Sequence, residues 1–243
     1  MHASKKQKFL SGGEKTLNNT GYMVGNLDPY SLEFIGFAKE SSGTAADIGA
    51  CFGIATLAAL EAGVKQIIAI DNEPRHLEIL RQRADPKHLD RLTCLVGALP
   101  ENILLENNSL SAILCSRTLH LLHGNEINIS LKQMYNWLEP DGRLYLINDS
   151  PYVNEHFLSI YEKNKKEGVR WPGHIPNIKD YLTPEFAKIS PEYITLMDID
   201  TTTNACKEHG FEIIKAEFID RPDYPPSLQG KGKENVAIVV AKR

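Results

Sequence analysis

The sequence lacks the apolar segments that direct proteins into or across membranes. No run approaches the roughly 20 residues that cross a bilayer, and the N-terminus has no apolar region typical of a secretory signal. Cysteine is also scarce, with four residues set far apart, no CxxC pair and no histidine cluster at zinc-like spacing. We therefore expect a cytoplasmic protein with no membrane span, no disulfide and no metal.

The sequence also has no excess of positive charge. The 243 residues carry a formal net charge of -4, so a surface built to bind nucleic acid is not expected. The basic run at Lys5 to Lys8 is typical of a solvated terminus. A hydrophobic fraction of 42% indicates an ordinary globular protein with a substantial core.

Short apolar runs alternate with helical patterns between residues 28 and 148. Asp28 and Pro29 are typical of a helix start, and Leu32, Ile35 and Gly36 are predicted to face inward. Five strands are predicted at "AADIG", "KQIIAID", "LTCLVG", "LSAILCS" and "RLYLIN". Helices are predicted after the first, second and fourth strands, and the last of these ends at a turn, "EPDG". This alternation predicts a parallel sheet.

The regular alternation stops after the fifth strand. Residues 149–197 contain several prolines and aromatic residues, and they predict an insertion of short helices over the edge of the sheet. Five aromatic residues could line a lid or form the insertion's own core: Tyr152, Tyr161, Trp171, Tyr181 and Tyr193. A helix near residues 200–209 is followed by "FEIIKAEFI" and "ENVAIVVAK", which predict an antiparallel hairpin.

Glycines and carboxylates stand where the first two strands end. Gly49 allows a sharp turn, and Gly53 allows the next helix to approach a bound group, because neither has a Cβ. Asp47 would repel a phosphate but suits a cationic ligand, whereas Asp71 is placed to accept the hydroxyls of a ribose. The two carboxylates together predict a pocket for an adenosine that carries positive charge.

With these residues the sequence resembles the class I S-adenosylmethionine-dependent methyltransferases of the small-molecule type. "DIGACFG" resembles the family's first glycine motif, with Cys51 in place of the middle glycine, and "LEPDGRLYLI" resembles the run at the fifth strand. The resemblance implies a doubly wound, mostly parallel seven-stranded α/β sheet of Rossmann-like type, with a C-terminal antiparallel hairpin and a helical insertion after the fifth strand. It implies four parts, listed in order as an N-terminal cover (1–40), a cofactor-binding core (41–148), an acceptor lid (149–197) and a C-terminal helix and hairpin (198–243).

The resemblance also implies a cofactor site for S-adenosylmethionine, whose product is S-adenosylhomocysteine. Gly49, Ala50 and Cys51 would border its methionine portion, Asp71 would bind the ribose, and Asn72 would lie beside the adenine. Ala98 replaces the acidic residue often found after the third strand, so adenine contacts would come from the backbone of Gly97 to Leu99. Tyr22 would cover the carboxylate of the cofactor.

"SAILCSRTLHLL" resembles the fourth motif, which places Ser116, Arg117 and His120 beside the sulfonium and the acceptor. His120 is the candidate general base, and it could equally be a packed residue at a helix start. The expected reaction is methyl transfer to an oxygen or nitrogen of a small molecule. A silent methyltransferase-like scaffold and a nicotinamide-dependent oxidoreductase are the alternatives, and the oligomeric state is left open.

Overall fold

A computed structural model describes residues 13–224 and 228–243. The basic run at Lys5 to Lys8 lies outside the described residues. The strands are β1 (Glu14–Lys15), β2 (Tyr22–Met23), β3 (Thr44–Ile48), β4 (Ile67–Asp71), β5 (Leu92–Val96), β6 (Leu110–Ser116), β7 (Leu138–Asp149), β8 (Gly173–Ile175), β9 (Ile194–Leu196), β10 (Phe211–Ile219) and β11 (Asn235–Lys242). The α-helices are α1 (Pro29–Glu40), α2 (Ile54–Ala62), α3 (Pro74–Arg83), α4 (Gly124–Trp137), α5 (Glu155–Lys166), α6 (Pro184–Ala187) and α7 (Ile199–Glu208).

Seven strands form one sheet in the order β10-β11-β7-β6-β3-β4-β5. Only β11 runs antiparallel to its neighbours, β7 and β10, so the predicted parallel sheet and C-terminal hairpin are confirmed. Winding proceeds from β3 to β4 and β5 on one side and from β6 to β7 on the other. The order therefore reverses between β3 and β6, which is where ligands bind in open α/β sheets.

Helix α1 begins as predicted, because the Asp28 carboxylate accepts the backbone N–H groups of Tyr30 and Ser31. Of the three residues predicted to face inward, only Ile35 does so. Phe34 and Ile35 are buried, whereas Leu32 is 55% exposed and Gly36 is exposed. Leu32 and Ile35 are three positions apart, but the packed face follows Phe34 and Ala38 instead, which also contact the sheet.

The segment "EPDG" does not separate α4 from the next strand. It lies inside β7, which starts directly after α4 at Leu138. The pairing with β6 shifts there, so that Leu110 faces Leu138 and Ala112 faces Arg143. Asp141 has a φ of 63°. The turn residues thus form a bulge in a longer strand, because pairing resumes on both sides of them.

The insertion contains short helices, as predicted, and also a hairpin of β8 and β9 that was not predicted. It covers the carboxyl ends of β6 and β7 rather than the sheet's edge. The Thr195 hydroxyl donates to the carbonyl of Leu122, and the Met197 N–H donates to the carbonyl of Asp149. Trp171 packs against Gly124, where an added Cβ would lie 1.9 Å from the indole ring. The insertion therefore lies above the point where the winding reverses.

Candidate functional site

A cavity of about 500 Å³ opens at the carboxyl ends of the parallel strands. It is bordered by the N-terminal hairpin, the loops after β3, β4, β5 and β6, the insertion and the loop between β10 and β11. The predicted site residues that line it are Tyr22, Asp47, Gly49, Ala50, Cys51, Asp71, Asn72, Gly97, Ala98, Leu99, Ser116, Arg117 and His120. The structure thus brings together every predicted site residue except Gly53.

Gly49 turns the chain at the tip of β3 with a φ of 79°. A Cβ at this position would lie 2.0 Å from the Oγ1 atom of Thr118. The Thr118 hydroxyl lies 3.2 Å from the carbonyl oxygen of Ile48, so the loop after β6 packs directly on the turn. Glycine is required both by the left-handed backbone and by this contact.

Gly53 has a different role from the predicted one. It is the N-cap of α2 with a φ of 82°, and a Cβ there would lie 2.3 Å from the side chain of Leu80 in α3. Gly53 therefore permits close packing of α2 against α3 rather than the approach of a ligand. Cys51, in place of the middle glycine, also adopts a left-handed conformation, with a φ of 50°.

The Asp47 carboxylate is 4% exposed at the end of β3. Its Oδ2 atom accepts a 2.7 Å hydrogen bond from the hydroxyl of Thr56. Burial raises the pKa of Asp47 to about 6, and the nearby charge of Asp71 adds to the effect. No described cation pairs with Asp47, so a positive group entering the cavity would favour its ionised form.

Asp71 ends the neighbouring strand and accepts three hydrogen bonds. Its Oδ2 atom accepts the N–H of Cys51 at 2.8 Å, and its Oδ1 atom accepts the N–H of Glu73 at 2.9 Å. The Nδ1 atom of His76 lies 3.0 Å from Oδ1. These contacts fix the carboxylate at the cavity wall and connect the β3 turn to the start of α3.

His76 is a site residue that the sequence interpretation missed. Its Nε2 atom accepts the backbone N–H of Leu17 at 2.9 Å, so the ring proton lies on Nδ1 and is donated to Asp71. The ring also packs edge-on against Phe52, with centroids 4.7 Å apart. One histidine therefore connects the N-terminal hairpin of β1 and β2 to the Asp71 carboxylate.

Replacing His76 by phenylalanine is expected to loosen the N-terminal hairpin while the ring packing is kept. We expect faster tryptic cleavage at Lys15 and about tenfold weaker binding of S-adenosylhomocysteine, since one positioned hydrogen bond to a charged group is lost. The control is Arg83→Gln, which removes the exposed ion pair between Arg83 and Glu14 and should change neither property. Equal cleavage rates in the two variants would contradict this role of His76.

The segment after β5 and the residue after β4 make hydrogen bonds within the protein. The N–H of Gly97 donates to the carbonyl of Asp71, and the N–H of Ala98 donates to the Oδ1 atom of Asn102 at 2.7 Å. Asn72 accepts a hydrogen bond from Asn18. The N–H groups of Gly97 and Ala98 are thus engaged, and adenine contacts by these residues stay a prediction.

Arg117 provides the guanidinium that lines the cavity. It has a φ of 54°, and its side chain donates to Ser116, to the hydroxyl of Tyr224 and, at 2.8 Å, to the Oδ1 atom of Asn235. The Asp28 carboxylate lies 3.7 Å away. The start of α1 (Asp28), the loop after β10 (Tyr224) and β11 (Asn235) therefore hold Arg117 in place. Tyr224 and Asn235 were not predicted as site residues.

His120 and Asp149 lie together where the cavity meets the insertion. The N–H of Asp149 donates to Nδ1 of His120 at 3.3 Å, which places the ring proton on Nε2. Burial lowers the pKa of His120, so the neutral ring is favoured. The Oδ1 atom of Asp149 accepts the hydroxyl of Tyr224 and the amide of Asn235, and its Oδ2 atom lies 3.9 Å from Nδ1 of His120. Asp149 is a second site residue that was missed.

The five aromatic residues singled out in the insertion do not form a lid together. Only Tyr193 lines the cavity, where its ring stacks on His123 at 3.8 Å. Tyr161 and Trp171 are buried in packing contacts, Tyr152 packs on Phe218, and Tyr181 is 44% exposed. The insertion lines the cavity mainly with other apolar residues, which are Val153, Phe157, Ile178, Leu182, Phe186, Ile189, Pro191, Ile194 and Leu196.

A family model described as a methyltransferase domain matches residues 45–142, the segment from β3 to the start of β7 that includes the loops after β3, β4, β5 and β6. The chain thus contains a segment similar to a methyltransferase domain, and it shares the fold of the class I S-adenosylmethionine-dependent methyltransferases. Its seven-stranded sheet is the α/β fold of these methyltransferases. The expectation drawn from "DIGACFG" and the strands around it is therefore confirmed.

Among known proteins, the methyltransferase-like protein C25B8.10 of Schizosaccharomyces pombe is 27% identical over 63% of this chain and 60% of its own length. The chain thus matches less than two thirds of that relative. A methyltransferase structure from Methanosarcina mazei has a TM-score of 0.67, with 14% identity over 89% of this chain and 98% of that one. The Haloferax volcanii methyltransferase in complex with the Trm112 activator has a TM-score of 0.62, with 14% identity over 88% of each chain. These two structures are similar in fold.

The cavity suits the cofactor that class I methyltransferases use. Among the described lining residues, five are aspartates (Asp28, Asp47, Asp71, Asp149 and Asp223) and Arg117 is the one arginine, with no lysine. Asp223 is paired with Arg221 and Asp28 lies beside Arg117, so Asp47, Asp71 and Asp149 form the surplus of carboxylates, which favours a sulfonium and an ammonium over a pyrophosphate. The close approach of Gly49 to Thr118 fixes the turn around which such a ligand would lie. The charged side chains of the cavity therefore fit S-adenosylmethionine.

The described part of the chain contains no helix that is long and apolar enough to cross a membrane. On the surface near α2, the side chains of Glu61, Asp85 and His88 lie within 4.8 Å of one another. The ammonium of Lys87 lies 2.8 Å from the Asp85 carboxylate, so a cation already balances this cluster. The expectation of no metal stays a prediction.

Proposed function

We propose that the protein binds S-adenosylmethionine and transfers its methyl group to an oxygen or nitrogen of a small-molecule acceptor. The observation that carries this proposal is the placement of Asp47 and Asp71 at the tips of adjacent strands in one cavity with a surplus of carboxylates. When bound, the cofactor supplies an electrophilic methyl group on a sulfonium. The match of residues 45–142 to a methyltransferase domain supports this proposal over the nicotinamide alternative.

In this proposal, each site residue holds one part of the ligand. Asp47 attracts the ammonium group, and Asp71 accepts the ribose hydroxyls with the lone pairs that Cys51, Glu73 and His76 leave free. Arg117 provides the positive charge for the carboxylate of the ligand. Gly49, Ala50 and Cys51 border the methionine portion, while Asn72 and the backbone from Gly97 to Leu99 border the adenine.

The chain's contribution to rate is mainly alignment. Holding an acceptor in line with the methyl group removes most of the entropic cost of bringing two reactants together. The segments that would exclude water are the described part of residues 1–40, including Tyr22, and residues 149–197, because both line the cavity. In this proposal they form a cover over the cofactor and a lid over the acceptor.

A small-molecule acceptor is proposed because the cavity is enclosed by the chain's own segments on the insertion side. The Haloferax volcanii neighbour is described in complex with an activator protein, and whether this chain takes a protein partner is a separate question. We place the protein in the cytoplasm as part of the same proposal.

Replacing Asp71 by asparagine tests the cofactor site. Because asparagine keeps the size but loses the charge and an acceptor oxygen, binding of S-adenosylhomocysteine is expected to weaken about tenfold in calorimetry. The control is Asp90→Asn, which changes an exposed carboxylate outside the cavity and should bind like wild type. Wild-type protein that releases no heat with either S-adenosylmethionine or its product would favour the scaffold alternative.

A further inference from the structure

The insertion side of the cavity is apolar over a continuous surface. Phe157, Ile178, Ile189, Ile194 and Leu196 are each at least nine-tenths buried and line it. No Lys, Arg, Asp or Glu from residues 150–197 is among the described lining residues. An acceptor bound against this surface has no charged partner there, and a charge on its body would be desolvated without compensation.

Apart from the hydroxyl-bearing residues Ser190 and Tyr193 of the insertion, the polar groups of the acceptor side lie at one boundary. There the neutral ring of His120 lies beside Asp149, whose Oδ1 atom is taken by Tyr224 and Asn235. The side chain of Asp149 is 24% exposed, and no hydrogen bond to its Oδ2 atom is found among the described residues. Asp149 therefore offers an acceptor oxygen to a molecule in the cavity.

We propose that the acceptor is an uncharged, mainly apolar molecule that carries a hydroxyl, and that the Asp149 carboxylate receives the hydroxyl proton. This inference rests on the proposed function. In the balanced step, the hydroxyl oxygen forms a bond to the methyl carbon as the carbon–sulfur bond breaks with its electron pair going to sulfur. The hydroxyl proton passes to Asp149, and the products are a methyl ether and S-adenosylhomocysteine.

The charges of the cavity disfavour the two other common acceptor groups. A carboxylate would face the surplus of aspartates and the apolar wall, so its desolvation would not be repaid. An aliphatic amine would bind as its ammonium, because Asp149 stabilises the charged form, and an ammonium has no lone pair to attack with. A hydroxyl donates to a carboxylate without either penalty.

The test uses three probes with one apolar tail: para-pentylphenol, para-pentylbenzoate and para-pentylbenzylamine. Their binding to the protein saturated with S-adenosylhomocysteine is measured by calorimetry, and methyl transfer from labelled S-adenosylmethionine is measured by mass spectrometry. We expect the phenol to bind at least about tenfold more tightly than the benzoate and to be methylated. Tighter binding of the benzoate than of the phenol, methylation of the amine in preference to the phenol, or binding of none of the three would overturn the proposal.

Two variants test whether Asp149 and the apolar wall are responsible for phenol turnover and binding. Asp149→Asn is expected to lower kcat for the phenol about 100-fold, as for loss of a proton acceptor, with little change in binding of S-adenosylhomocysteine. Leu182→Lys places a cation on the half-buried apolar wall and should lower phenol binding about tenfold, whereas Val169→Lys, on an exposed position of the same insertion, should not. Phenol turnover unchanged in Asp149→Asn would contradict the role of Asp149.

These outcomes separate the inference from the proposed function. Binding of S-adenosylhomocysteine is measured first and without any probe. If it binds and the phenol is not preferred, the acceptor class is wrong and the cofactor site stands. If it does not bind to the folded wild-type protein, the proposed function itself fails.

Discussion

Replacing Asp47 by asparagine is expected to stabilise the ligand-free protein and to weaken its ligand binding about 100-fold. Because the folded-state pKa of about 6 lies above the ordinary value of 3.8, ionised Asp47 opposes folding at neutral pH. The protonated carboxyl of Asp47 contributes stability that is fully present below pH 3.8 and is lost as the pH rises through 6. Removing the charge should therefore raise the free energy of unfolding at pH 7.5, by up to about 3 kcal/mol.

The same charge should favour ligand binding, since an ammonium next to ionised Asp47 forms a buried charged hydrogen bond. Wild-type affinity for S-adenosylhomocysteine is expected to fall as the pH drops below about 6, by up to tenfold per unit. In Asp47→Asn the affinity for S-adenosylhomocysteine should not change with pH below about 6. Denaturant unfolding and calorimetry measure the two effects, and Asp141→Asn, on a highly exposed side chain, should show neither. A loss of both stability and affinity in Asp47→Asn would contradict this account.

Replacing Gly49 by alanine is expected to cost at least about 3 kcal/mol of unfolding free energy, because left-handed strain adds to a steric clash. The new Cβ would lie 2.0 Å from the Thr118 hydroxyl. Neither the β3 turn nor the loop after β6 can move without disturbing the other. Binding of S-adenosylhomocysteine should therefore be lost even at temperatures where the variant stays folded.

Gly63 provides a matched control for Gly49. It has a φ of 98° at the end of α2, but an added Cβ there would have nothing within 4 Å. Gly63→Ala should therefore cost only about 1 kcal/mol, from backbone strain, and should leave binding intact. Thermal unfolding and calorimetry of the two variants isolate the effect of the Thr118 contact. Equal costs at the two positions would show that the contact does not matter.

The sheet could be predicted from local pattern because each strand is a short apolar run that ends in polar or glycine residues. Asp47 and Asp71 were found in this way, since the rule that ligands bind at the carboxyl ends of parallel strands needs only the strand ends. The same rule could have found Asp149, which ends β7. It was missed because the residue was assigned to the insertion rather than to the strand tip.

His76, Thr118 and Asn235 could not be found in this way, because their roles depend on contacts between residues far apart in sequence. The bond from Leu17 to His76 spans 59 positions, and that from Arg117 to Asn235 spans 118. Periodicity describes one element at a time. The position of Gly53 just after the first strand likewise placed it beside a ligand, whereas packing of α2 on Leu80 is what requires glycine there.

The aromatic residues of the insertion show the same limit. Their number was compatible with a lid or with a small core of the insertion itself, because large side chains are also the usual means of filling a small core. In the structure, Tyr161 and Trp171 are buried in the core, and mainly aliphatic residues and phenylalanines of the insertion line the cavity. Composition predicted that apolar surface would be present, and only the fold determined which side chains provide it.

The central claim is that two carboxylates at neighbouring strand tips form a pocket for a positively charged nucleoside. Competitive calorimetry with the wild-type protein at pH 7.5 tests it most directly, with S-adenosylmethionine and NADH as the two ligands. The account predicts binding of S-adenosylmethionine with one molecule per chain and no displacement by NADH. Binding of NADH, with no heat from S-adenosylmethionine, would contradict it.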